Sequence, residues 1–509
     1  MRARSCLRSF FHGIVLMATC AAPAHAVSPI VIWVTNSNNF GAGSYTAALA
    51  QLQPIATPQE IRFSYPSTQT IYLNGPQSVI VGSDVRIDGA DMFGNVIIDG
   101  AGWTQATVPS GSATAKLTIA NLTLRHGQQI GTGGCVKVAN AGTATILDHV
   151  QFIECKAFVD ATTPARGGAV YAAGALTVAD SSFERNEVLT LGASAETNNA
   201  NGGALSSEGA HNVTIVRSVF TDNRVYLFNS LPSFCSSGAG GAVHLYLPGA
   251  SSVGTITDST FTGNTTACRR PGTGYDLIGV GDGGAASLNS DSGTFQIERN
   301  FFENNTGLRG GALAFINASF TQANIINNTL RANRGMASTG GVSFVNCCYA
   351  KLINNTFSDN RSGSDQFPSQ YGGAFAINVG TLELVNNLVD NAGAGSPSCS
   401  YYFGQVTSSH NLYSDAACPL PTADPSSLVT GPMSWLGAPK NLGGSVLVMP
   451  PAYGSPAIDS GEDARCALND ARGVVRPLDG DGDGAAHCDV GALESSYVDR
   501  IFRNGFELN

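Results

Sequence analysis

Gly283-Gly-Ala-Ala-Ser-Leu-Asn-Ser-Asp-Ser-Gly-Thr-Phe-Gln-Ile-Glu-Arg-Asn-Phe-Phe-Glu-Asn-Asn305 is the stretch on which the fold turns. It opens on a glycine pair, crosses two short runs with apolar residues between polar ones, and closes on Phe302-x-x-Asn305. The same frame returns between about Lys116 and Asn391. Its second glycines are Gly134, Gly168, Gly203, Gly241, Gly284, Gly311, Gly341 and Gly373. Behind them come Phe152, Phe183, Phe220, Phe261, Phe302, Leu330, Phe357 and Leu388, always 15 to 20 residues on. Three further on stand Cys155, Asn186, Asn223, Asn264, Asn305, Asn333, Asn360 and Asn391. Helical repeats of this period are excluded, because every unit carries Gly-Gly and several Asn, both poor helix formers. A unit of this size with glycine and asparagine turns makes one three-strand coil that stacks on its neighbours.

The columns support that reading. Five residues before the Phe/Leu position run Leu147, Val178, Ile215, Ile256, Ile297, Ile325, Leu352 and then Glu383, an inward aliphatic stack broken only in the last coil. Two before it run Val150, Ser181, Ser218, Ser259, Asn300, Asn328, Asn355 and Asn386, small polar groups that stack as hydrogen-bonded ladders at the inter-strand spacing. Only small residues, mostly alanine, follow the glycine pairs, and the pairs themselves suit a tight corner with positive φ. The spacing from Phe-x-x-Asn to the next Gly-Gly varies, with long insertions after Asn186, Asn223 and Asn264. All of them fall at one corner of the coil, so a ridge of loops is expected near residues 187–282. It offers Tyr226, Phe228, Phe234, Arg269, Arg270 and Tyr275 as a recognition surface. Neutral loop growth at a tolerant corner is the competing explanation.

These repeats resemble those of polymorphic outer-membrane proteins and, more broadly, the right-handed parallel β-helix superfamily that includes pectate lyases. The resemblance covers roughly the repeat region and implies an all-β, right-handed solenoid. It specifies fold far more than activity. Residues 27–115 are read as an N-terminal cap and first coils, with strands at Ile30-Val-Ile-Trp-Val34, Ile61-Arg-Phe63, Thr70-Ile-Tyr-Leu73, Val79-Ile-Val81, Val85–Asp88 and Val96–Asp99, and a short helix after Gly41-Ala-Gly43. This order resembles the start of many secreted bacterial β-helix proteins. Beyond the repeats, 116–395, the blocks beginning at Leu436, Gly454, Asp470 and Cys488 resemble the C-terminal region of proteins labelled choice-of-anchor Q, placed at 396–495. The ending Ile501-Phe-Arg-Asn-Gly-Phe506, within 496–509, resembles a sorting tail of exported proteins, whereas the translocating barrel of polymorphic outer-membrane proteins has no counterpart.

Of 509 residues, 60 are glycine and 13% are charged, with 43% hydrophobic, which is too apolar for disorder. A net charge of −10 argues against nucleic acid as a partner. Arg2, Arg4 and Arg8 precede an apolar run, Phe10 to Ala22, that ends in Ala24-His-Ala26. Residues 1–26 therefore read as a cleaved signal peptide, and no other segment is apolar and long enough to span a membrane. Export leaves an even number of cysteines in an oxidising compartment. Proximity pairs Cys135/Cys155, Cys235/Cys268, Cys399/Cys418 and Cys466/Cys488, while the adjacent Cys347 and Cys348 are not expected to bridge each other. No CxxC pair or nearby histidine supports a metal instead.

Chemistry is sparse. Asp479-Gly-Asp481-Gly-Asp483-Gly484 has the alternating carboxylates that wrap a hard cation, so calcium is the one cofactor suggested, against the alternative of a solvated acidic turn. Three before the Phe/Leu position run His149, Asp180, Arg217, Asp258, Arg299 and Asn327, whose alternating sign suits a cross-coil charge ladder better than clustered metal ligands. No nucleophile elbow, phosphate loop or HExxH motif occurs. The expected function is adhesin-like binding of a glycan or surface protein along the solenoid's side, by a monomer. A polysaccharide lyase or glycoside hydrolase on the same scaffold, or a passive envelope component, is the alternative.

Overall fold

A computed structural model describes residues 28–497 apart from 80–81, 91–93, 111–114, 161–162, 191–199, 210, 229–237, 270–275, 279–280, 317–320, 364–370, 392–396, 402–403, 417, 419–425, 430 and 432–435. The expected signal peptide, residues 1–26, and residues 498–509 of the expected tail thus lie outside the described residues. The chain forms a right-handed parallel β-helix. One coil shows the plan. Gly202-Gly203 turns into Leu205–Glu208, then Val213–Val216 and Val219–Thr221, then Arg224–Phe228, and Gly238–Ala239 leads to the next glycine pair. Stacked coils place these segments in a second sheet of ten strands, a broad sheet of 24, a third sheet of nine and a small sheet of three. Pairing is parallel almost throughout, and successive coils meet in register, as in Phe183↔Phe220 and Phe220↔Phe261.

The register converts sequence columns into physical stacks. Phe152, Phe183, Phe220, Phe261 and Phe302 lie ring on ring, with centroids 4.8, 4.6, 4.7 and 5.0 Å apart. Each such pair adds about 0.5–1.5 kcal/mol beyond area burial. The asparagine ladder is fully satisfied. Asn223 Nδ2 donates to Phe183 O and to Asn264 Oδ1, both at 2.9 Å, while its own Oδ1 accepts from Asn186 N and Nδ2. A second ladder runs through Ser181, Ser218, Ser259, Asn300, Asn328 and Asn355, each side chain accepting the backbone N–H of the coil before. Such closure is what lets asparagine and serine sit fully buried. In the glycine pairs the first glycine supplies positive φ, +67° at Gly202 and +68° at Gly240. The second serves close approach, since a Cβ on Gly203 would collide with Gly241 O of the next coil.

The last coil corrects three sequence assignments. Val389, not Leu388, pairs with Phe357, and Leu384, not Glu383, pairs with Leu352. The ladder residue there is Asn387, which Asn355 meets at 3.0 Å, so Asn386 stands one place off. The aliphatic stack therefore has no break at this coil. Disulfides join Cys135–Cys155, Cys399–Cys418 and Cys466–Cys488, whereas Cys235 lies outside the described residues. The expectation for Cys347 and Cys348 is overturned, because these neighbours are bonded to each other at a corner. Disulfides fit an extracellular protein.

The first coil begins at Ile30–Val34, and the helix Tyr45–Leu49, capped by Ser44 Oγ, buries Tyr45, Ala48 and Leu49 against it. The ridge is more than loops. Ala157, Val159, Ala165, Val188, Ala200, Val225 and Leu227 form their own small core between the third and small sheets. At the other end, residues 436–497 fold back onto the outside of the broad sheet instead of extending the coil.

Candidate functional site

The second sheet faces the core with Val170, Leu205, Val243, Ala286 and Leu313 and with their neighbours two residues on. Strand alternation turns the residues between them outward. Those residues, in register, are Tyr171, Ser206, His244, Ser287, Ala314, Ser343 and Ala376. Outward β positions normally meet water, yet Ser206, His244 and Ser287 are buried. The small sheet contributes Arg166 and Asn201, which pair strand to strand and lean over this column. Arg166 Nη1 lies 2.9 Å from Glu208 Oε2 and donates to the Tyr171 hydroxyl, and Asn201 donates to Glu208. His244 Nε2 stands 3.7 Å from Glu208 Oε1.

Burial controls the electrostatics. It raises the Glu208 carboxyl above the ordinary range, against the pull of Arg166 and Asn201. It lowers His244 to about 3, helped by the Arg166 charge, so the imidazole is neutral at pH 7. Tyr246, in register with Glu208, is also raised, by desolvation and by its hydrogen bond to Asp291 at 3.2 Å. Four buried polar atoms here have no partner: Arg166 Nε, Ser206 Oγ, His244 Nδ1 and Ser287 Oγ. Each costs about 1–3 kcal/mol if left so, and four in one cluster are more than a purely structural sheet face needs.

Along the same face the column runs into an open cavity of about 530 Å³, floored by Ser343 and Ala376 and walled by Leu308, Arg309 and Tyr371. Arg309 is fixed by a two-pronged pair with Asp282, at 2.7 and 2.6 Å. The groove proper is this cavity over the coils of Leu308 to Asn378, and on the same face the earlier coils carry the closed polar cluster Arg166–Glu208–His244.

Among the described residues, none of those singled out from sequence lines this cavity. Tyr226 lies on Arg224–Phe228 with the Arg224 guanidinium 5.2 Å from its ring centre. Phe228 and Arg269 are opposite one another on paired backbones, and Thr265–Arg269 turns back antiparallel against Asp276–Ile278. The side chains of Phe228, Arg269 and Cys268, and Phe234, Arg270 and Tyr275 altogether, lie outside the described residues. The alternating column is a charge ladder. Arg217 pairs with Asp180 at 2.6 Å and Arg299 with Asp258 at 2.8 Å. In the acidic turn, Asp479 and Asp481 converge with Asp459 rather than with Asp483, which accepts Ala485 N within its own turn. Asp459 accepts Gly480 N and Asp481 N, and Asp479 accepts Gly482 N and Gly484 N. Arg166, Glu208 and His244 were not singled out, although one signal existed: His244 occupies a column where the coils on either side carry serine.

No protein-family model matches the chain, and no curated protein matches it. Among solved structures, the crystal structure of pectate lyase Pel9A aligns with 92% of this chain and 98% of its own, at 13% identity and a TM-score of 0.35. Among the described residues no helix is long and apolar enough to cross a membrane.

Proposed function

We propose that this is an exported protein that binds an extended glycan in the groove along the second sheet. The observation that carries the reading is an open cavity floored by Ser343 and Ala376 of the outward column, whose earlier coils hold three unpartnered buried polar atoms with Arg166 Nε beside them. A polyhydroxylated chain supplies both donors and acceptors to such a floor. The floor is of small side chains, and Tyr246 and Tyr371, both 37% exposed, offer rings at its edge. Net charge −10 speaks against a nucleic acid in the same groove. Secretion or surface display rests on the leader and on the disulfides.

One observation favours a second reading, cleavage of the bound glycan. Glu208 is held towards its protonated form beside a neutral imidazole, the state a general acid requires. One experiment addresses both. The purified full chain is titrated calorimetrically against pectate, alginate and glycosaminoglycans, with and without calcium, while ultraviolet absorbance and reducing ends are followed. Binding without new ends, lost in Glu208→Gln and His244→Ala, is the expected result. New ends that disappear in Glu208→Gln would establish cleavage, and heatless titrations across the panel would overturn the glycan reading.

A further inference from the structure

The corner between Val342–Val345 of the second sheet and Tyr349–Ile353 of the broad sheet is made by Asn346, Cys347 and Cys348. Two coils earlier the corresponding turn uses a hydroxyl: Ser290 Oγ accepts Gly293 N at 2.6 Å and donates to Leu247 O at 2.5 Å. Here a covalent bond between adjacent residues takes that place. The next coil closes directly over it. Thr381 N donates to Cys348 O at 3.1 Å, Cys347 N donates to Val379 O at 3.3 Å, and a Cβ on Gly380 would collide with Cys347 O. The cysteines are buried, but Tyr349 and Val379 beside them are 46% and 45% exposed. Between them opens a cavity of about 460 Å³, which Gln322 and Thr381 also line. Gln322, Tyr349 and Thr381 are consecutive partners across three coils, so an aromatic ring stands between an amide and a hydroxyl. Lys351 Nζ, 5.9 Å from the ring centre and 3.2 Å from Glu383, helps to hold that ring.

We propose that this corner is a binding subsite for a single pyranose ring, stacked on Tyr349 beside the Cys347–Cys348 disulfide, with Gln322 and Thr381 meeting its hydroxyls. A pyranose has an apolar face of C–H groups and a rim of hydroxyls. The tyrosine ring, the polarisable sulfurs and Val379 match the face, and the amide and hydroxyl match the rim. A purely aromatic ligand would leave Gln322 and Thr381 without a role. The covalent turn and the glycine-tight coil above it fix the floor before binding, which spares the ordering that weakens recognition by mobile loops. The subsite lies across the corner from the groove and shares none of the groove's floor residues, so it stands whether or not the groove binds a glycan.

Saturation-transfer NMR on the full chain tests it, with methyl β-glucopyranoside, methyl β-galactopyranoside and methyl α-galactopyranosiduronate as probes and phenol as the aromatic control. At least one glycoside should receive saturation. Tyr349→Ala should weaken it about tenfold, Thr381→Val and Cys347→Ser/Cys348→Ser should weaken it less, and Ile130→Ala, at an exposed position on an early coil outside both cavities, should leave it unchanged. Tyr349 is half-exposed, so its removal leaves the coil intact by circular dichroism. Saturation of no glycoside, of phenol alone, or of a glycoside equally in Tyr349→Ala overturns the proposal.

Discussion

The front and rear coils place the same backbone conformation on the same face and put it to opposite uses. One residue in each broad-sheet strand pair adopts left-handed geometry, with φ of +48° at Asp180, +45° at Arg217, +54° at Asp258, +53° at Arg299, +56° at Asn327, +52° at Asn354 and +55° at Asn386. In front the residues are charged and pair with one another along the axis, Asp180 with Arg217 and Asp258 with Arg299. The face stays open to solvent. In the rear they are asparagines, and their amides grip residues 436–497. Asn327 Nδ2 donates to Asn469 O at 2.6 Å, Asn354 Nδ2 to Asp489 O at 2.9 Å and Asn386 Nδ2 to Glu462 O at 3.2 Å. Asn354 and Asn386 accept in return from Ala467 N and Glu462 N. An amide offers donor and acceptor together, so it can dock a passing backbone, whereas a charged pair satisfies itself. One side chain per coil thus suits the face to solvent or to a covering segment.

The sharpest way to break the contrast is at Arg476, which ties the rear together. Its guanidinium is fully buried, 2.8 Å from Glu494, 3.0 Å from Asp489 O and 2.7 Å from Gly491 O. Burial raises Glu494 to about 7 and Asp489 to about 6, with Arg476 pulling against both. Arg476→Met leaves the carboxylates buried with no cation and should cost about 3–5 kcal/mol. Hydrogen exchange should show residues 436–497 opening while the coils stay protected; uniform loss of protection would mean that this segment is part of the solenoid's own cooperative unit. Asn354→Gly keeps the backbone conformation and removes only the amide. It should cost about 2 kcal/mol, from two unmet backbone groups, in the same exchange experiment.

The front coils answer to acid instead. His244 is held near 3 against 6.5 when unfolded, so the native state binds fewer protons between those values. Stability is therefore full above pH 6.5 and falls as pH drops towards 3, by about 2 kcal/mol between pH 7 and pH 5. Glu208, raised rather than lowered, works the other way. The His244 contribution is thus read as the difference in slope between wild type and His244→Asn in urea melts at each pH. Equal slopes would show that the imidazole is not excluded from solvent as described.

How far each region was legible follows from repetition. Phe152 to Phe302, Asn186 to Asn360 and the glycine pairs could be read because every coil restates them, and a stack of coils turns such restatement into contact. Where the frame slipped by one residue, at Leu384, Asn387 and Val389, the neighbouring Glu383, Asn386 and Leu388 fitted the pattern closely enough to be taken in their place. Cys347 and Cys348 stand side by side, a spacing that seldom bridges, and only the folded corner shows that it accommodates their bond. The grip of Asn327, Asn354 and Asn386 on residues 76 to 142 positions away is a single event with no repeat to reveal it. Glu208 and His244 needed the register of coils whose spacing varies. That register is a property of the folded ridge.

The smallest effect tests the front side of the contrast. Asp180 is held below the ordinary carboxylate range, first by its hydrogen bonds from Arg217, and Arg217 is half-exposed. A lowered folded value means stability present above the unfolded value near 4 and lost as pH falls through the folded one. Screening by water keeps the pair worth under about 1 kcal/mol. Arg217→Ala should therefore shift the urea midpoint little, and Arg217→Asn should shift it less or improve it, because asparagine adopts the left-handed backbone more readily than arginine. An amide can grip only a segment that already passes over it, so a front asparagine should leave that face bare, since no described segment lies over it. Unchanged exchange at residues 213–221 in Arg217→Asn is the expected outcome. Protection gained there would mean that the side chain in this column is enough to recruit a covering segment.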